Sequence, residues 1–281
     1  MICKHNSHNL KYKKEVILID SAKIVSATRL LSICLILVAI FLFGSKCKTY
    51  SNEIQITIFA AASLADLLNT FETEYESQNE NIDLQISYGA SNLLAQQIIK
   101  GAPANILIPA GTGPISVLNQ KTNLNLQVYP FISNELVLVS HPDTQLNITN
   151  LSELANSGIK RFAIADPELA PAGEYSKIAL KNSDMWDLLQ PKLVLAPDVR
   201  ATLTYVSSKN AEIGIVYSTD AMSKPDLKIT KIPNDTYPKI EYPIILIDNK
   251  NQKNHTHQLI QYLLSDKTKS EIDKYGFKKI K

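Results

Sequence analysis

The residues in this chain that could do chemistry cluster where an apolar strand pattern gives way to a helical one. Ser63 follows a run in which Ile54, Ile56 and Ile58 alternate with polar residues, and Leu64, Leu67, Leu68 and Phe71 then mark one stripe of a helix. Ser91 stands the same way after residues 84–88, ahead of a helix over 92–100. Ala172 and Gly173 follow the strand pattern 161–165 through DPELAP, ahead of a helix with Tyr175, Ile178 and Ala179 on one side. Asp198 and Val199 follow 193–195, with Val199, Leu203 and Val206 on one helical face. In an α/β sheet, all four junctions lie at the carboxyl ends of strands, where ligands collect. Helix N-termini offer N–H groups without intrahelical acceptors and a partial positive charge, so several converging ones make an anion site that needs no Lys or Arg. Taken singly, Ser63 reads as an N-cap, with Asp66 three residues on as the short acid of a capping box, and Asp198 reads as another cap.

Other catalytic patterns are weak. The five histidines are His5 and His8 near the start, His141 beside Pro142, and His255 and His257 on a polar stretch; no pair has ligand spacing beside acids, which disfavours a zinc site. Gly89-Ala90-Ser91-Asn92-Leu93 matches only half a nucleophile elbow, and Gly111-Thr112-Gly113 lacks the rest of a dinucleotide fingerprint. Asp166 and Asp198 are the one candidate acid–base pair, although a strand-end acceptor and a helix cap account for them as well.

The elements that must position these residues alternate at the pace of an α/β protein with mostly parallel strands. Further strand patterns cover 106–109, 124–131, 135–140, 213–217 and 244–247, and a helix through Leu259, Tyr262 and Leu263 precedes the C-terminal EIDKYGF. The chain of 281 residues, 45% hydrophobic, suits one large or two medium domains. The stretches 130–135 and 233–243 are the best places for it to cross between two lobes. Residues 1–48 carry eight of the 29 Lys/Arg and two of the 27 acids, so the remainder holds 21 against 25 and is mildly acidic. That balance argues against a nucleic-acid partner. Cys3, Cys34 and Cys47 all fall in the first 48 residues, leaving the body without disulfides or thiolate ligands. Residues 30–44 form an uncharged apolar run behind Arg29, shorter than the roughly 20 residues of a spanning helix, and read as the apolar core of an export signal. Gly44-Ser45-Lys46-Cys47 is similar to a bacterial lipobox, which makes Cys47 a candidate for lipidation against an uncleaved anchor or atypical cleavage.

The stretches ITIFAAASLADLL, YGASNLLAQQIIKGAPANILIPA, NELVLVS, ADPELAPAGEYSKIAL, LAPDVRATLTYV, EIGIVYSTDA, EYPI and KYGF run in order from Ile56 to Phe277. Their combination resembles the periplasmic molybdate-binding proteins of ABC importers. The resemblance implies a two-lobed type II periplasmic-binding-protein fold, each lobe a mostly parallel sheet flanked by helices, with a cleft between them. With 1–48 read as extension and export signal or membrane anchor, the resemblance places 54–133 plus 244–281 in one lobe and 134–243 in the other. It also implies that the hydroxyls of Ser63 and Ser91, backbone N–H groups of those residues and of Ala172 and Val199, and the phenol of Tyr217 hold the oxyanion. Molybdenum would be bound only as molybdate, through those residues. The sequence departs from the family at Asn105, usually Asp, at Gly111, usually polar, and at Gly89-Ala90, where serines and alanine are common; these bear on the cleft rim.

The resulting expectation is a monomeric solute-binding protein of the periplasm or cell envelope, tethered by its N-terminus. It would take molybdate, with tungstate, to an ABC permease and its ATPase, with no cofactor and no catalysis of its own. Sulfate or another tetrahedral oxyanion is the alternative ligand. An enzyme on the same fold would need a nucleophile–base pair at the cleft, and no histidine of the body follows a strand end. A sensing domain of a transcription regulator fits poorly with an export-like N-terminus and no helix-turn-helix.

Overall fold

The computed structural model describes residues 53–121, 124–144, 148–247 and 253–280. All of them belong to the unit Asn52–Lys281; the export signal, the anchor and Cys47 lie outside the described residues. Among the described residues no helix is long and apolar enough to cross a membrane.

The first sheet is built around β1 (Ile54–Ala61), whose last six residues include five buried ones. A central strand covered on both faces reads as a nearly continuous apolar run, which is why the alternation of Ile54, Ile56 and Ile58 gives way to Phe59 and three alanines. β2 (Ile82–Gly89) and β3 (Ile106–Ile108) flank it in parallel. Between them run α1 (Ala65–Gln78), which buries Leu67, Leu68, Phe71 and Tyr75, and α2 (Ser91–Ile99), which buries Ser91, Leu94, Ala95 and Ile98. α3 (Gly113–Lys121) follows, a helix that the Gly-rich opening of its sequence conceals.

β4 (Leu126–Asn134) then leaves this sheet and, after Glu135 alone, becomes β5 (Leu136–Ser140) of a second sheet. That sheet adds β6 (Phe162–Ala165), α4 (Pro171–Asn182), α5 (Trp186–Leu189), β7 (Leu193–Ala196), α6 (Val199–Ser207), β8 (Ile213–Tyr217), α7 (Ser218–Met222) and β9 (Lys228–Lys231). The chain returns through residues 232–239 to β10 (Ile240–Ile247) and closes with α8 (Lys253–Leu264), α9 (Lys269–Lys274) and β11 (Lys278–Lys279). Strand order is β11-β4-β10-β3-β1-β2 in the first sheet and β7-β6-β8-β5-β9 in the second.

Both sheets are mixed rather than mostly parallel. β1/β2, β1/β3, β6/β7 and β6/β8 pair in parallel, but β10 is antiparallel to β3 and β4, β11 to β4, and β5 to β8 and β9. The reason is the double crossing. β4 leads out of the first sheet and β10 leads back in, so two strands that pair along the crossing must run in opposite directions. β10 starts at Ile240, four residues before the strand expected from the sequence, because Ile240, Glu241 and Tyr242 pair with Asn134, Ser133 and Ile132. The register shifts between Tyr242 and Ile244, around Pro243. Proline has no N–H for the ladder, and a bulge is where a central strand accepts it.

α4 also turns differently from its expected face. It buries Ala172, Gly173, Ser176, Ala179 and Leu180, while Tyr175 and Ile178 are only partly covered. Small residues set this rotation: a Cβ on Gly173 would lie 2.1 Å from the Ala165 carbonyl oxygen, so glycine lets the helix start hard against the end of β6.

Candidate functional site

The four strand-to-helix junctions meet. Ser63, Ser91, Ala172, Val199 and Tyr217 all line one small, tight cavity, together with Ala61, Ala62, Gly89, Ala90, Ala110, Ala170, Pro171 and Asp198. Its walls come from both sheets: the ends of β1 and β2 on one side, the starts of α4 and α6 and the end of β8 on the other.

Ser63 is not an N-cap. It lies in a 3-10 turn, Ala62–Leu64, before α1 begins, it makes no cap hydrogen bond, and it is 2% exposed. Its Oγ instead lies 3.0 Å from the Tyr242 hydroxyl. The local pattern suggested a cap; the tertiary partner on β10 takes the hydroxyl away from the helix start. Ser91 is the first residue of α2, and its Oγ accepts the Ala110 N–H at 3.0 Å. With that lone pair engaged by a donor, the Ser91 proton is free for the cavity.

The helix starts supply backbone donors. α4 opens with Pro171, which has no N–H, so Ala172 carries the first one. At α6, Asp198 is a true cap: its Oδ1 accepts from Ala201 N at 2.9 Å. The N–H of Val199 stays in the first turn, where a helix has no internal acceptor to offer. Asp198 is thus spent on its own helix, and Asp166 Oδ1 accepts the Glu168 N–H at 2.9 Å. The two acids are not an acid–base pair, and Asp166 is not among the cavity residues.

Tyr217 ends β8, is 1% exposed, and its hydroxyl makes no hydrogen bond of good geometry among the described residues, although the Tyr242 hydroxyl beside it helps it to keep its proton. Its ring meets that of Tyr242 edge-on, centroids 5.8 Å apart. Burial pushes both hydroxyls well above the ordinary tyrosine range, so both are neutral and keep their protons. A buried phenol without a well-formed hydrogen bond loses its hydration with little in return. Aimed into a cavity of donors, it lacks an acceptor.

Behind the cavity lies a polar cluster that the sequence reading missed. Asn134, at the end of β4, donates through Nδ2 to Thr219 Oγ1 at 2.8 Å and to the Tyr242 hydroxyl at 3.2 Å. Its Oδ1 accepts from Glu135 N at 2.9 Å and from the Ser218 hydroxyl at 3.0 Å. The sequence carried little signal for it: Asn134 and Tyr242 lie in the two crossing segments, but Ser133, Glu135 and Glu241 beside them are polar as well.

At the rim, elements of the two sheets touch. Asn92 N donates to the Leu169 carbonyl at 3.1 Å. Arg200 reaches from α6 to Asp66 on α1 at 2.7 Å. Its Nε also lies 2.6 Å from Oδ1 of the fully buried Asp220, but the N–H is not aligned on that oxygen, so this is an ion contact rather than a directed hydrogen bond. Gly111 has φ +126°, and a Cβ there would sit 2.8 Å from the Tyr175 hydroxyl. The missing side chain at 111 is what allows that close approach.

Two mixed sheets joined by a double crossing, with a cavity of hydrogen-bond donors enclosed between their strand ends, define a solute-binding protein. The chain belongs to the family of bacterial extracellular solute-binding proteins, whose model matches residues 56–278. It is 33% identical over 235 residues to the molybdate-binding protein ModA of Escherichia coli, covering 81% of this chain and 90% of that one. It is 32% identical over 228 residues to a putative ABC transporter substrate-binding lipoprotein, YvgL, of Bacillus subtilis, covering 80% and 87%. Among solved structures, the substrate-binding domain of a putative molybdenum ABC transporter from Clostridium difficile superposes with a TM-score of 0.62 at 32% identity, covering 81% of this chain and 99% of that one. Membership of this family implies work in the periplasm or cell envelope, in transport rather than catalysis.

Proposed function

We propose that the protein captures molybdate, and tungstate with it, outside the cytoplasm and hands it to an ABC permease whose ATPase subunit supplies the energy. One observation carries the reading: the Tyr217 hydroxyl is buried, protonated and without a well-formed hydrogen bond, in a cavity also lined by two serine hydroxyls and the first turns of α4 and α6. A tetrahedral oxyanion is the complement, because it carries only acceptors and needs several donors at once. The oxyanion is held by the hydroxyls of Ser63, Ser91 and Tyr217 and by backbone N–H groups of the two serines, Ala172 and Val199. The similarity to ModA supports molybdate over sulfate. Binding consumes no cofactor, and the protein acts as a monomer.

The first sheet is the frame of one lobe and the second of the other; the boundaries 54–133 with 244–281 and 134–243 shift by a few residues, because Asn134 and residues 240–242 pair within the first sheet. Asn134 to Leu136 and residues 232–239 serve as the hinge. The contacts of Arg200 with Asp66 and of Asn92 with Leu169 belong to a closed form. The apolar run at 30–44 directs export, and Cys47 carries a lipid tether. Fractionation tests that part: Cys47→Ser should release the protein from membranes, and unchanged retention removes the lipid.

A thermal-shift screen tests the ligand. Molybdate and tungstate should raise the unfolding temperature in a concentration-dependent way, since a ligand bound only by the native state stabilises it by mass action. A shift with sulfate and none with molybdate would overturn the reading.

A further inference from the structure

A serine hydroxyl can donate or accept, so lining a cavity with serines does not by itself make the cavity donor-only. At Ser91 a backbone N–H, that of Ala110, which can only donate, occupies one of the two lone pairs of Oγ and leaves the proton to be given elsewhere. At Ser63 the neighbour is the Tyr242 hydroxyl, which could act either way. The direction is decided one step further back. The Glu135 N–H donates to Asn134 Oδ1, which fixes the amide orientation and puts Nδ2 against the Tyr242 oxygen. Tyr242 therefore accepts from Asn134. Its own proton, retained because burial keeps the phenol neutral, has Ser63 Oγ as its partner in hydrogen-bond geometry. Ser63 then accepts from Tyr242, and its proton is left for the cavity.

We propose that Asn134 and Tyr242 are positioning residues that commit the Ser63 hydroxyl to donating, and that this relay from the crossing strands sets the preference for fully deprotonated oxyanions over protonated ones. The proposal rests on the oxyanion reading above. Reversing Ser63 would turn the Tyr242 O–H back against an Asn134 N–H, two donors facing each other in a buried place.

The test compares molybdate, sulfate and hydrogen phosphate by calorimetry on the full-length protein at about pH 8, where phosphate is chiefly the dianion by its second pKa, ordinarily near 7 (for phosphoryl groups on side chains about 6). All three then carry two charges, so electrostatic repulsion largely cancels in their ratios, and only hydrogen phosphate brings a proton. Asn134→Asp replaces the amide donor by an acceptor. Tyr242 should then donate to residue 134, accept from Ser63, and leave Ser63 presenting lone pairs to the cavity. The expected result is a fall in the molybdate-to-phosphate affinity ratio of roughly a hundredfold, with the molybdate-to-sulfate ratio unchanged. Tyr242→Phe keeps the ring contacts with Tyr217 and Phe277 but frees Ser63 to turn, and should lower the molybdate-to-phosphate ratio about tenfold. If Asn134→Asp does not fold, Tyr242→Phe decides alone. A uniform loss for all three anions, as from a purely structural role, overturns the relay, as do unchanged ratios in folded variants. Failure of the wild-type protein to bind any of the three overturns the oxyanion reading and the relay together.

Discussion

Arg200 and Asp66 sit on opposite sides of the cavity and meet at 2.7 Å, joining α6 of the second sheet to α1 of the first. The pair is half exposed at Asp66, so its strength is that of a surface ion pair, about 0.2–1 kcal/mol. If the contact forms on closure, Asp66→Asn should weaken oxyanion binding by about twofold to fivefold. The effect should shrink at high salt, where exposed pairs are screened. Calorimetry at low and high ionic strength reads it, and equal affinity at low salt would separate the contact from closure. Asp66 is the side to change, because removing Arg200 would strand the buried Asp220.

Tyr217→Phe separates binding from stability. Hydrogen bonds to a charged group are worth about 1.5–3 kcal/mol, so affinity for molybdate should drop roughly tenfold to a hundredfold. The ligand-free protein should become slightly more stable, because a buried hydroxyl without a well-formed hydrogen bond is removed. Calorimetry and urea unfolding of the same variant give the two readings; wild-type affinity would take Tyr217 out of the site.

Ser63→Ala and Ser91→Ala should each cost a similar factor in affinity. Ser63→Ala has a second cost that is not the loss of a helix cap. It leaves the Tyr242 proton without its acceptor, about 1–3 kcal/mol of folding stability for a buried group. A variant that lost affinity but no stability would contradict the Tyr242 contact.

Phosphate should compete poorly. At neutral pH it keeps at least one proton, and the carboxylates near the junctions are poorly placed to take it: Asp166 is outside the cavity, and Asp198 Oδ1 already accepts from Ala201 N at the cap of its own helix. Burying a donor against donors costs about 1–3 kcal/mol per unpaired group. Displacement of molybdate by phosphate at comparable concentration would show that an acceptor reaches the ligand.

Asp220 should make stability depend on pH. Burial pushes its carboxyl up from an ordinary 3.8 to about 7, against the pull of the Arg200 guanidinium. A folded-state pKa above the unfolded one means that the native protein holds the extra proton between those values. The stabilising contribution is therefore complete below about 3.8 and is lost as pH rises through about 7. Between pH 5 and 8 the wild type should lose stability relative to Asp220→Asn, at up to about 1.4 kcal/mol per pH unit. A flat difference across that range would mean that Arg200 keeps Asp220 ionised throughout.

The places of the cavity-lining residues were legible in the sequence. A strand pattern ending in small residues and followed by a helical stripe spans only about a dozen positions, so the locations of Ser63, Ser91, Ala172, Val199 and Tyr217 follow from local periodicity, helix starts and the family motif they share. What those groups are bonded to could not follow from it. Ser63 finds its partner 179 positions away, Asn134 meets Tyr242 across 108, and Arg200 reaches Asp66 across 134. The antiparallel pairing of β4 with β10 has the same origin, since one strand leads out of the first sheet and the other leads back across more than a hundred residues. Local pattern determines where a hydroxyl or an N–H lies along its strand or helix. The direction in which a hydroxyl gives its proton is settled by the group that faces it, and in this protein the tertiary fold supplied that group.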